Sequence, residues 1–74
     1  MNLPITLDAI KVLDVIDRKK SFAPAADKLF RVPSAISYTV SKLEDDLDIA
    51  LFDRSKRKAE LTPVGHMIVE QGRL

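Results

Sequence analysis

Along the stretch FRVPSAISYTVSKLEDDL, the chain sets out Ser34, Ser37, Tyr38, Thr39 and Ser41 within a few residues of Pro33. Further on it gathers Arg54, Lys56, Arg57 and Lys58 in the run RSKRK. Hydroxyls accept and donate hydrogen bonds without carrying charge, and clustered cations attract polyanions. Together they suit noncovalent contact with a charged polymer. Covalent chemistry lacks its parts. The sequence has no cysteine, so thiolate zinc sites and a cysteine nucleophile are excluded. His66 has no second histidine to complete a metal site. Asp45, Asp46 and Asp48 stand close together, but nothing brackets them into a cleft. No nucleophile–base pair or phosphate-binding glycine loop is visible, so neither enzymatic activity nor a cofactor is expected.

The hydroxyls need an element to aim them. At 100° per residue, Ser34, Ser37, Tyr38, Ser41 and Asp45 fall within an arc of about 100° on a helix. Ile36, Val40, Leu43 and Leu47 fall opposite. The spacing therefore predicts a helix over about 33–47 with a core stripe and a separate polar face. Short side chains on that face let the helix backbone sink close to a target. The major groove of B-DNA admits a helix, and hydroxyls can bond base edges or phosphates there.

Other elements follow by period. Leu7, Ile10, Leu13 and Ile16 form one side of an amphipathic helix, with Thr6 able to cap it and Arg18, Lys19 and Lys20 at its end. Phe22, Ala25, Ala26 and Leu29 predict a short second helix, with Pro24 in its first turn. Only Phe30 to Val32 separate it from the third, a link tight enough to force a large crossing angle, as in a helix-turn-helix. Leu51 and Phe52, then Ala59 and Leu61, predict two short strands around the basic run, although no glycine specifies the turn. Thr62 and Pro63 start a fourth helix, with Val64, Met67 and Ile68 on one face and Gly65 allowing a close approach.

Length and charge set the outer bounds. The 74 residues make one small domain, near the lower limit for a self-sufficient core. The net charge of +1 is uninformative as a total; its concentration in RSKRK suggests a polyanion contact at one edge. No apolar run approaches the roughly 20 residues of a membrane span, and no signal peptide is read. Each feature alone also has a plain reading. Serines on a helix are often only solvated, and a basic pentapeptide is often only a turn. A small helical module that binds a partner protein through its hydroxyl face is the alternative, and salt dependence separates the two. The joint order of helix, short helix, tight turn, helix and basic hairpin favours double-stranded DNA.

The stretches SFAPAADKL, SAISYTVSKLEDDLDIALFDR and ELTPVG carry a further signal. In order and spacing they resemble the N-terminal DNA-binding domain of the LysR-type bacterial transcriptional regulators. The resemblance implies a mainly α fold, a winged helix-turn-helix over 1–62, with the start of a dimerising linker helix over 63–74. It implies sequence-specific binding of double-stranded DNA in transcription control, in the cytoplasm. It also implies a homodimer through the linker helix, and a small-molecule effector bound only by a C-terminal domain that this chain lacks. The expected recognition helix is about 33–47 and the expected wing 53–59. Expected DNA contacts are Arg31, Pro33, Ser34, Ser37, Tyr38, Ser41 and Lys42 around the helix, and Arg54, Lys56, Arg57 and Lys58 on the wing. The chain departs from the family pattern at three places. Arg31, Val32 and Pro33 replace an apolar residue, a hydroxyl and a glutamine. Tyr38 replaces a cation. Ala23 and Pro24 replace a polar cap and a basic residue.

Overall fold

The computed structural model describes residues 6–53, 55 and 57–72. In chain order these form α1 (Leu7–Lys19), α2 (Phe22–Lys28), α3 (Pro33–Leu47), β1 (Phe52–Asp53), β2 (Glu60–Leu61) and α4 (Pro63–Gly72). Helix α1 lies at the centre and packs against α2, α3 and α4. The strands pair antiparallel, with Phe52 opposite Leu61 and Asp53 opposite Glu60. This is a winged helix-turn-helix with a very short wing.

The apolar period explains the core. Val12, Leu13 and Ile16 of α1, Ile36, Val40 and Leu43 of α3, and Leu51, Phe52, Leu61 and Val69 are all buried. Ala25 and Ala26 are buried too, and their small side chains let α2 sit close to its neighbours. Phe22 and Phe52 meet edge to face, with centroids 5.8 Å apart at 61°, an arrangement aromatic rings favour. That contact joins the start of α2 to the wing.

One expectation changes and another holds. Leu7 is 81% exposed, so the buried stripe of α1 begins at Ala9 instead. On α4 the buried positions are Gly65 and Val69. Val64 and Ile68 are half-buried and Met67 is 57% exposed. The helix turns its glycine inward because the space there is too small for a side chain. A Cβ on Gly65 would lie 2.5 Å from the Leu51 carbonyl oxygen and 2.9 Å from Leu61 Cδ2. A Cβ on Gly72 would overlap the Ile10 side chain.

Three helices end on a non-glycine residue in left-handed geometry: Lys20 (φ 58°), Phe30 (φ 57°) and Asp48 (φ 55°). At the end of α2 the Phe30 N–H donates to the Asp27 carbonyl at 3.1 Å, and the Arg31 N–H to the Ala26 carbonyl at 2.9 Å. This is the paired bond pattern that usually places glycine where Phe30 stands. At the end of α3 the Asp48 and Ile49 N–H groups repeat it, donating to Asp45 and Glu44 carbonyls at 3.3 and 3.2 Å.

Candidate nucleic-acid interface

The sequence of α3 divides its faces as the period requires. Ile36, Val40 and Leu43 are buried, and this stripe fixes the rotation of the helix. Ser34, Tyr38, Ser41 and Asp45 are then exposed, and Ser37 is half-buried. Tyr38 is 68% exposed, so its ring stands out in solvent and is not an edge of the core. Thr39 is spent internally: its hydroxyl donates to the Ala35 carbonyl at 3.0 Å. Pro33 opens α3 at a first-turn position after Val32, where its missing N–H costs no helical bond. An open hollow of about 310 Å³ lies between the starts of α2 and α3, lined by Phe22, Pro33, Ser34 and Ser37. The structure thus brings Pro33, Ser34, Ser37, Tyr38 and Ser41 onto one accessible surface at the start and middle of the helix.

The cations divide. Lys42 sits at the flank of that face, 3.7 Å from Asp46 one turn on. Arg31 is turned toward α1. Its Nη2 lies 2.6 Å from Asp8 Oδ1 and its Nη1 3.2 Å from Asp8 Oδ2. The hydrogen bond from Arg31 holds the Asp8 carboxyl below its ordinary value; partial desolvation opposes this, and the charges of Arg31 and Lys11 add to the lowering. Arg57 and Lys58 are exposed on the wing connection. Arg54 and Lys56 lie outside the described residues.

The wing has a local origin that does not need glycine. The Asp53 carboxylate accepts from the Ser55 N–H at 2.9 Å and from its hydroxyl at 2.5 Å, an Asx-type turn that bends the chain. On the return the Ala59 N–H donates to the Lys20 carbonyl at 3.1 Å, tying the wing to the α1–α2 turn. At its base Glu44 of α3 accepts from the N–H groups of Leu51 at 2.7 Å and Phe52 at 3.3 Å. A carboxylate on α3 therefore fixes where the wing begins. Thr62 does the same for α4. Its hydroxyl accepts from the Gly65 N–H at 3.1 Å and donates to the Ala50 carbonyl at 2.7 Å.

Asp8 and Glu44 are the two residues whose roles sequence reasoning missed. Asp8 looked like one more acid on the polar side of an amphipathic helix, and its partner is far away in the chain. Glu44 carried a usable signal, a carboxylate one turn before the end of a helix followed by an extended apolar run. A larger open groove of about 900 Å³ lies between the end of α3 and the hairpin, lined by Glu44, Asp45, Asp48, Asp53 and Glu60 with Phe52 and Leu61. Its carboxylates would repel phosphate and disfavour it as a nucleic-acid surface. Among the described residues no group of His, Asp and Glu could hold a metal ion, and no helix is long and apolar enough to cross a membrane.

Comparison with known proteins agrees with this arrangement. The family described as "Bacterial regulatory helix-turn-helix protein, lysR family" matches residues 7–66. The "Probable HTH-type transcriptional regulator YhaJ" of Escherichia coli (strain K12) is 57% identical over 70 residues, covering 95% of this chain and 24% of that protein. The chain therefore spans about a quarter of that relative's length. Among solved structures, the "BenM_DBD/catB site 1 DNA Complex" superimposes with a TM-score of 0.84 at 29% identity, covering 92% of this chain and 76% of that one. The "CbnR_DBD-DNA complex" gives 0.83 at 30% identity, covering 93% and 79%.

Proposed function

Because the chain belongs to the LysR family of bacterial regulatory helix-turn-helix proteins, we propose that it binds double-stranded DNA sequence-specifically in the control of transcription. The observation that carries this is the division of α3. A fully buried stripe of Ile36, Val40 and Leu43 sets its rotation, leaving Ser34, Tyr38 and Ser41 exposed on the other side. A helix held this way can enter a major groove without rolling. Ser34 and Ser37 then reach base edges or phosphates, and Tyr38 makes a neutral contact to the backbone. Pro33 offers an apolar surface where a polar side chain would otherwise read a base. Lys42 serves from the flank.

Arg57 and Lys58, exposed beside the hairpin, would meet phosphates beside the groove, and Arg54 and Lys56 belong to the same run. Arg57 suits a narrow A·T-rich minor groove, since a planar guanidinium is drawn to its enhanced negative potential. Helix α4 begins the linker through which two copies pair, and its half-exposed Val64, Met67 and Ile68 are the residues a partner would cover. Pairing would set two half-sites at a fixed separation. An effector would act through a further domain, and the cytoplasm is the expected compartment.

Selection of binding sites from random duplexes, repeated at two salt concentrations, tests the reading. An enriched motif whose affinity falls steeply with salt is the expected result. No enrichment, with binding insensitive to salt, would favour a protein partner for the hydroxyl face.

A further inference from the structure

The two carboxylate oxygens of Asp8 face the two terminal nitrogens of Arg31 in a fork-to-fork pair, at 2.6 and 3.2 Å. The pair joins the first turn of α1 to the turn that delivers α3. Three features of it matter. Asp8 stands in the first turn of its helix, where the positive end of the dipole favours a carboxylate. Arg31 stands two residues before Pro33, the start of the recognition helix. The side chains are 55% and 36% exposed, so the pair lies at the surface, where a phosphate would compete with Asp8 for the guanidinium. A phosphate offers the guanidinium the same two-oxygen geometry that Asp8 does.

We propose that Asp8 is a specificity-determining residue, which lowers sequence-independent DNA binding by occupying the Arg31 guanidinium that a phosphate would otherwise take. The inference rests on α3 being the DNA-facing helix. On random DNA a domain docks loosely, and any free cation beside the groove finds a phosphate. At a preferred site the base contacts of α3 fix the domain, and one freed cation adds less. Asp8 therefore widens the gap between the two modes by silencing a cation close to the recognition helix. Arg31 is written in the sequence as a backbone contact and is folded as an internal partner.

The test measures affinity for a random duplex and for a selected site across a salt series. It uses the wild type, Asp8→Asn, Asp27→Asn and the double variant Asp8→Asn/Arg31→Ala. Asp27 is exposed on α2, so Asp27→Asn makes the same charge change without releasing Arg31. Asp8→Asn is expected to steepen the slope of log affinity against log salt by about one unit, and to tighten random-duplex binding on the order of tenfold at 0.1 M salt. Affinity for the selected site should rise less. Asp27→Asn should fall well short of this, and Arg31→Ala in the Asp8→Asn background should abolish the gain. Asp8→Ser repeats the measurement with a different side chain, and thermal melts confirm that each variant folds. A slope for Asp8→Asn equal to that of the wild type or of Asp27→Asn overturns the inference, as does weakened binding. A wild type that binds no duplex overturns the DNA reading itself, a result distinguishable from an unresponsive Asp8→Asn.

Discussion

Replacing Phe30 with glycine should make the domain more stable, although it removes a large apolar side chain. Phe30 takes the left-handed position at the end of α2, with φ 57°. An L-residue there loses roughly 1–2 kcal/mol to the contact between its Cβ and the following carbonyl. The ring recovers nothing by packing, because the residue is 97% exposed. Glycine removes the clash but has more backbone freedom to lose on folding, which costs about 0.5–1 kcal/mol. The difference leaves a gain of about 0.5–1 kcal/mol. For a domain of this size that is a rise in Tm of roughly 2–8 °C. Urea unfolding followed by circular dichroism is the assay, with an unchanged m-value expected because the buried surface is the same. Phe30→Ala separates the causes. It keeps the Cβ and removes only the ring, so its stability should match the wild type. If Phe30→Gly were destabilising, or if Phe30→Ala were destabilising by as much as 1 kcal/mol, the ring would have to be making contacts and the reasoning would fail.

Further changes have defined outcomes. Gly65→Ala places a methyl 2.5 Å from the Leu51 carbonyl oxygen and should cost about 1–3 kcal/mol of stability, read from the same melts. Glu44→Ala strips the acceptor from the Leu51 and Phe52 N–H groups; a loss of about 1–3 kcal/mol and faster amide exchange at both positions are expected. Ser34→Ala and Ser37→Ala should each weaken binding to a selected site by about 1–3 kcal/mol while leaving random-duplex affinity nearly unchanged in a fluorescence titration. The Asp8 carboxyl titrates below the ordinary aspartate range when folded, chiefly through its bond from Arg31. The stability it contributes is therefore present above the unfolded value near 3.8 and is lost as pH falls through the lower folded value. NMR titration of that carboxyl should move back up in Arg31→Ala.

Helix interiors were legible because burial follows the period. Ile36, Val40 and Leu43 are apolar at helical spacing and all three are buried. Thr6 and Thr62 were legible as caps because their hydroxyls had free N–H groups within reach, Ala9 at 3.0 Å and Gly65 at 3.1 Å. Helix ends carried no glycine mark, although the basic run Arg18 to Lys20 signalled the end of α1. The usual mark is glycine, and here Lys20, Phe30 and Asp48 do its work. The two glycines of the chain are used for close packing of α4. Gly65 was legible as a point of close approach, and it is buried, while Met67, on the face shared with Val64 and Ile68, stays exposed. Of the candidate site, the hydroxyl face could be read from local angles alone. Arg31 could not, because its partner Asp8 is close only after α1 has packed beside the α2–α3 turn.

The seating of α4 sets how motion could pass through the domain. Gly65 presses the helix against the Leu51 carbonyl, Gly72 presses it against Ile10, and Thr62 fastens its first turn to Ala50. The helix is thus seated closely near both ends, and a tilt at its far end would press on Ile10 of α1. Since α1 also packs against α3, a torque applied along α4 would be passed through α1 to the recognition helix, as a spanner passes it to a bolt.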